Sequence, residues 1–137
     1  MYFDKNFIQM KVTAGIFKDG DSVLLMRRAP DQPLGGEWEY PGGKFECGED
    51  GPACLRRELH EELGIDAKIG ALVTIAKLRL SSGKELELYA YEVSDYTGEI
   101  TLRVHDRAEW VQLADLLRHP QLPADLMVSE KIVNHKS

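Results

Sequence analysis

"GGKFECGEDGPACLRRELHEELGI", Gly42 to Ile65, decides how the rest of this chain is read. Pro52 suits the first turn of a helix, so the spacing predicts one starting near Gly51 or Pro52. Glu49 and Asp50 stand just before it, where negative charge suits a helix N-terminus. Leu55, Leu59 and Leu63 recur every four residues and make a buried stripe, and Gly64 fits the left-handed position that ends a helix. On that helix Glu58, Glu61 and Glu62 share one face beside the leucines. Three carboxylates so close repel one another unless arginines and water neutralise them or a metal ion sits among them.

The residues around them bear on both readings. Arg57 can hold a carboxylate by a two-pronged hydrogen bond, and Glu49 can fold back towards the same region. Gly42 and Gly43 allow a backbone carbonyl to come close to a ligand. Hard oxygen donors of this kind suit Mg²⁺ or Mn²⁺, with phosphate oxygens completing the octahedron. An acidic helix face on its own is ordinarily solvated surface. The full spacing is not ordinary: Gly43, Glu49, Arg57-Glu58-Leu59, Glu61-Glu62 and Gly64-Ile65 would coincide by chance on the order of 10⁻⁷ per chain or less.

Outward from this stretch, the chain has 137 residues, a length that fits one domain over 1–137. With 43% hydrophobic and 29% charged residues it has the composition of a folded globular protein, not a disordered one. The longest apolar runs, such as "IGALVTIA", are too short to cross a bilayer, and "MYFDKNFIQMK" lacks the apolar stretch of a signal peptide. A cytoplasmic protein without a membrane partner is expected. A net charge of -6 argues against binding long nucleic acid, though not against a small anion bridged by cations. Cys47 and Cys54 form neither a disulfide framework nor a zinc site and are expected as free thiols.

Residues 7–17 and "SVLLMRR" read as strands around a turn at Asp19-Gly20, "APDQPLGGE" as a loop, and "WEYP" as a short extended piece. "DAKIGALVTIAKLRL" and "KELELYAYEV" read as two long antiparallel strands, with "GEITL" and "EWVQL" as shorter candidates. "LADLLRH" and "ADLMVSEKIVNH" read as closing helices. Strands mixed with helices predict an α/β (α+β) fold, a mixed sheet with helices on both faces.

The stretch from Gly43 to Ile65 resembles the signature of the Nudix hydrolases at every defined position. "LLMRRAPDQPLGGEWEYPGGKFE" and "LPADLMVSEKI" are similar to the MutT-type and CTP pyrophosphohydrolase-type branch, so the resemblance spans residues 12–132. It implies a single Nudix domain, an α/β/α sandwich, and divalent-metal-dependent hydrolysis of a nucleoside triphosphate to the monophosphate and pyrophosphate. A nucleotide is then the partner, and the chain a monomer or a homodimer. By the family's pattern the Gly42 carbonyl, Glu58 and Glu62 coordinate metal, Glu61 helps to bind or orient it, and Glu58 serves as base. Arg57 orients a carboxylate, Glu49 supports the ligands, and Arg28 and Lys44 stand where relatives carry cations near phosphate.

Base selection by resemblance falls to Asp125, in the place of an Asn that reads 8-oxoguanine in MutT-type enzymes. An ionised Asp only accepts hydrogen bonds and so prefers an amino edge such as cytosine N4; a protonated one can read an oxidised guanine. Asp125 can equally just complement the last helix. Tyr89 and Tyr91 share a strand face and either flank a base or pack in the core, while Trp38 packs beneath the loop. Some relatives add a metal-binding glutamate six residues before a strand Trp. Alignment on Trp110 puts Val104 there, so either Asp106 substitutes from a shifted loop or fewer protein ligands serve; His105 reads as a structural loop residue. The expectation is a pool-sanitising (d)NTP pyrophosphohydrolase favouring cytosine or modified nucleotides. An 8-oxo-dGTP diphosphatase and a catalytically silent nucleotide sensor are the rivals, the latter disfavoured by intact glutamates. ADP-ribose hydrolases typically carry a proline where Leu80 stands here.

Overall fold

Strand β3, Ser22–Arg28, is the hinge of the architecture because its side chains alternate between two cores. Val23 and Leu25 enter one core, with Val111, Ala124, Val128 and Ile132. Leu24 and Met26 enter the other, with Leu55, Leu59 and Leu63. Period-two alternation in a strand buried on both faces gives this division directly. The computed structural model describes residues 10–135, so the first three residues of the strand expected over 7–17 lie outside the described residues.

The first sheet joins β1 (Met10–Ile16), β6 (Glu85–Thr97) and β5 (Asp66–Arg79), in the order β1-β6-β5. β1 runs parallel to β6, and β5 pairs antiparallel with it through several register shifts. The second sheet is antiparallel and joins β2 (Lys18–Asp19), β3, β4 (Trp38–Glu39) and β7 (His105–Gln112). The expected mixed sheet is therefore the first of two. α1 (Gly51–Leu63) covers one side and α3 (Pro123–Asn134) the other, each against β5 among its partners.

α1 forms where its local signals place it. The Asp50 side chain accepts from the Ala53 N–H at 2.8 Å, and Gly64, at φ 72°, closes the helix by donating to the His60 carbonyl. Leu55, Leu59 and Leu63 are fully buried, each worth about 1.5–3 kcal/mol of apolar transfer.

Two expected elements differ. "GEITL" is not a strand: Thr101 N–H bonds the Leu63 carbonyl at 2.9 Å and Arg103 N–H the Glu62 carbonyl at 3.3 Å. Thr101 and the adjoining Arg103 are thus tied to the end of α1 and not to a neighbouring strand. The helix expected over "LADLLRH" is the single turn α2, Leu113–Leu116, after which the backbone tightens into i→i−3 turns: Arg118 N–H bonds the Asp115 carbonyl at 3.1 Å and His119 N–H the Leu116 carbonyl at 3.3 Å. Among the described residues no helix is long and apolar enough to cross a membrane.

Candidate active site

The loop before α1 lies along the free edge of β1. Gly15 N–H bonds the Pro41 carbonyl at 2.7 Å, Thr13 N–H the Gly43 carbonyl at 2.8 Å, and Phe45 N–H the Lys11 carbonyl at 3.1 Å. A Cβ on Gly42 would run into the Thr13 carbonyl, and one on Gly43 into the Glu58 carboxylate. Glycine is what lets this loop pass so close to strand and helix.

Arg57 organises the acidic face. Its Nε and Nη2 donate to the two oxygens of Glu49, at 2.5 and 3.0 Å, a two-pronged pair. Its Nη1 donates to Glu58 at 3.1 Å and Glu61 at 3.2 Å, and Nη2 also donates to the Lys44 carbonyl at 3.0 Å. One guanidinium thus spans loop and helix. With the Glu46 N–H also donating to Glu49, these bonds hold that carboxyl down at about 2.

Glu62 faces inward instead. Burial, with Glu58 and Glu39 nearby, pushes its carboxyl up to about 8, against the Gly42 N–H that hydrogen-bonds it. Its Oε1 is buried without a partner among the described residues. Burial also raises the Glu58 carboxyl, with Arg57 opposing. Among the described residues no three His, Cys, Asp or Glu side chains converge closely enough, as they stand, to hold a metal ion. The glutamates are instead divided between Arg57 and the buried floor. An orphaned carboxylate oxygen beside further carboxylates fits a divalent cation by donor type.

A cavity of about 550 Å³ opens beside Glu62. Arg28, Glu39, Gly42, Gly43, Lys44 and Asp125 contribute to its walls, and leucines of β5, β6 and the β5–β6 turn (Leu78, Leu80, Leu86, Leu88) form an apolar side. Asp125 is buried and its Oδ2 accepts from the Tyr40 N–H at 3.0 Å; burial pushes its carboxyl up to about 7. Glu58 and Glu61 lie outside this lining, at the Arg57 end, and the Glu61 side chain is exposed.

The structure does not bring Asp106 to the glutamates. It sits within β7, one residue out of phase with His105, and its carboxylate pairs with Arg27 at 3.0 and 2.9 Å. Tyr89 does not line the cavity either. Leu86 and Leu88 take that face of β6, while Tyr89 packs edge-on against Phe45 and donates to Glu87. Tyr91 meets Gly51 at the start of α1. Trp38 is buried against His119.

Glu39 was missed in the sequence. It bonds His105 at 2.7 Å and Arg28 at 3.2 Å and lies near enough to raise both Glu62 and Asp125. The available signal was phase: in "WE" the Trp enters one core, so the Glu must face the other side, towards Glu62.

Comparison with known proteins places these features in one context. The NUDIX domain family matches residues 9–131. The chain is 35% identical to the CTP pyrophosphohydrolase of Escherichia coli strain K12, over 88% of this chain and 89% of that one. It is 30% identical to an 8-oxo-dGTP diphosphatase of Haemophilus influenzae, over 96% and 95% of the two chains. The solution structure of the E. coli ORF135 protein superposes with a TM-score of 0.87 at 31% identity, covering 96% of this chain and 94% of that one.

Proposed function

The chain belongs to the NUDIX domain family, and from that premise we propose that it is a metal-dependent hydrolase converting a (d)NTP and water to the (d)NMP and pyrophosphate. What carries this reading is one cavity that joins the buried, half-partnered carboxylate of Glu62 to the cations Arg28 and Lys44. Anionic donors stand where a cation is needed and cationic ones where phosphates would lie.

Glu58, Glu62, Glu61 and the Gly42 carbonyl would hold the cation, Mg²⁺ or Mn²⁺. When bound, it offsets phosphate charge and makes water a better nucleophile. Arg57 keeps Glu58 and Glu61 in place, and Glu49 keeps Arg57 in place. Glu58 accepts the proton as water attacks phosphorus and the P–O bond to the leaving group breaks. Arg28 and Lys44 receive phosphate oxygens. The leucine walls shield the base from water.

Asp125 reads the base. As a carboxylate it accepts from the amino group of cytosine, which favours (d)CTP or modified cytosine nucleotides and a role in balancing or sanitising the pool. One observation favours a second reading: the Asp125 carboxyl titrates near 7, so its protonated form is at hand to donate as well, as 8-oxo-dGTP would require.

The test is incubation with Mg²⁺ and a panel of ordinary and oxidised nucleotides, measuring pyrophosphate release. Hydrolysis ranked with cytosine nucleotides high is expected. No hydrolysis of any triphosphate would sink the proposal.

A further inference from the structure

His105 opens β7 with its imidazole only 2% exposed. Its Nε2 lies 2.7 Å from Glu39 Oε2, and because a carboxylate only accepts, Nε2 carries the hydrogen. Glu39 Oε1 in turn accepts from Arg28 Nη1 at 3.2 Å, and Arg28 Nε donates to the Pro33 carbonyl at 2.8 Å. The result is a chain of contacts from β7 through β4 to the end of β3. The other imidazole nitrogen, Nδ1, is buried without a partner among the described residues. An apolar side chain would fill that space without leaving a polar atom orphaned. Packing alone therefore does not account for a histidine here; the bond to Glu39 does.

Two further observations give that bond a purpose. Arg28 and Glu39 both line the cavity. An arginine is rotamer-rich, and ordering it only when a ligand arrives weakens binding. In addition, His105 is fixed relative to the acidic helix. Arg103, two residues earlier, donates from Nη1 to the His60 and Glu61 carbonyls at 3.3 and 3.2 Å, at the last turn of α1. The same short strap thus ties the helix carrying Glu61 and Glu62 to the floor carrying Glu39.

We propose that His105 is a positioning residue for the nucleotide: by holding Glu39 it fixes the Arg28 guanidinium in the cavity wall, in the orientation that receives phosphate. This rests on Arg28 being a phosphate ligand, as proposed above. His105 touches no substrate itself. Its effect is to keep Arg28 ordered before substrate arrives, so it acts on binding and not on the bond-breaking step.

The experiment compares His105→Leu and His105→Gln with the wild-type protein in steady-state kinetics, using Mg²⁺ and the triphosphate that wild type hydrolyses best. Gln retains a distal N–H that reaches Glu39; Leu does not. The Leu variant is expected to raise KM about tenfold, the effect of losing one charge-assisted hydrogen bond, with kcat within about twofold. The Gln variant is expected to bring KM most of the way back. Glu39→Gln in the His105→Leu background should raise KM by less than it does alone, because both changes release Arg28. If the Leu variant melts below the assay temperature, His105→Asn, whose amide is too short to reach Glu39, carries the same expectation.

An unchanged KM in the Leu or Asn variant overturns the proposal. So does an equal rise in the Gln and Leu variants, or strict additivity with Glu39→Gln. A wild-type protein that hydrolyses no nucleotide overturns the underlying function instead, which keeps the two failures apart.

Discussion

Gly43 and Glu58 meet so closely that a methyl group on the glycine would overlap the carboxyl carbon of the glutamate. The carboxylate of the proposed base is thus aimed by the absence of a side chain across from it. Gly43→Ala should turn Glu58 away and lower kcat about 10–100-fold, the range seen when a supporting contact is lost. Glu58→Gln should lower kcat about 10²–10⁴-fold, as expected for a general base. Both are read from initial rates at saturating Mg²⁺, with a melting curve to confirm the fold. Full activity in either variant would remove Glu58 from the role given to it.

Arg57 binds Glu49, Glu58 and Glu61 at once. Arg57→Gln should weaken metal binding about 10–100-fold, seen as a shift of the Mg²⁺ dependence of activity to higher concentration. An unmoved Mg²⁺ curve would leave the guanidinium a surface charge. The acid side of stability should change too. The Glu49 carboxyl, held from 4.5 down to about 2, contributes stability that is present above pH 4.5 and lost as pH falls towards 2. That limb should shrink in melting curves of the variant, leaving what the Glu46 N–H bond to Glu49 and the Arg27 pair of Asp106 contribute.

Glu62 and Asp125 carry the opposite sign. Their carboxyls rise from 4.5 to about 8 and from 3.8 to about 7, so the folded chain keeps protons that the unfolded chain has shed. Their stabilising contribution is complete below about pH 4 and is lost as pH rises towards 8. The melting temperature of metal-free protein should therefore fall across that window. Added Mg²⁺ should restore it most at the alkaline end, where Glu62 is ionised. A melting temperature independent of pH between 5 and 8, with and without Mg²⁺, would contradict the burial of both groups.

Asp125→Asn keeps an oxygen for the Tyr40 N–H and adds a permanent donor. Preference should move from cytosine nucleotides towards 8-oxo-dGTP, and the part of the fall in melting temperature with rising pH that Asp125 causes should be absent. The wild-type ranking should vary between pH 6 and 8, while that of the variant should not. Competition assays with paired substrates measure both. An unaltered ranking would remove Asp125 from base selection.

Much of this was legible in the sequence where the causes are local. Asp50, Pro52, the leucines and Gly64 fix α1 by short-range capping and periodicity, and "SVLLMRR" forms β3 within the bounds its pattern predicts. What escaped depends on pairing across the chain. Asp106 looked available because a loop was expected there, but β7 begins one residue earlier and turns it to Arg27. For Tyr89 the strand is legible but not the face: only the packing of Leu86 and Leu88 shows which side of β6 meets the cavity, and Tyr89 lies on the other. The phase of "WE" gives the side Glu39 faces but not its partner His105, 66 residues away, nor the Arg103 strap that reaches α1 across 43 and 42 residues.

The alternation of β3 has one further result. Because Val23 and Leu25 hold one core while Leu24 and Met26 hold the other, neither half can open without pulling apart the strand both share. Amide hydrogens along β3 should exchange with deuterium only through unfolding of the whole chain, and those flanking it on either side should exchange at the same slow limit. The catalytic geometry, hung between the two halves, inherits that all-or-none protection: warming the protein should abolish activity in step with global melting, with no earlier loosening of the site.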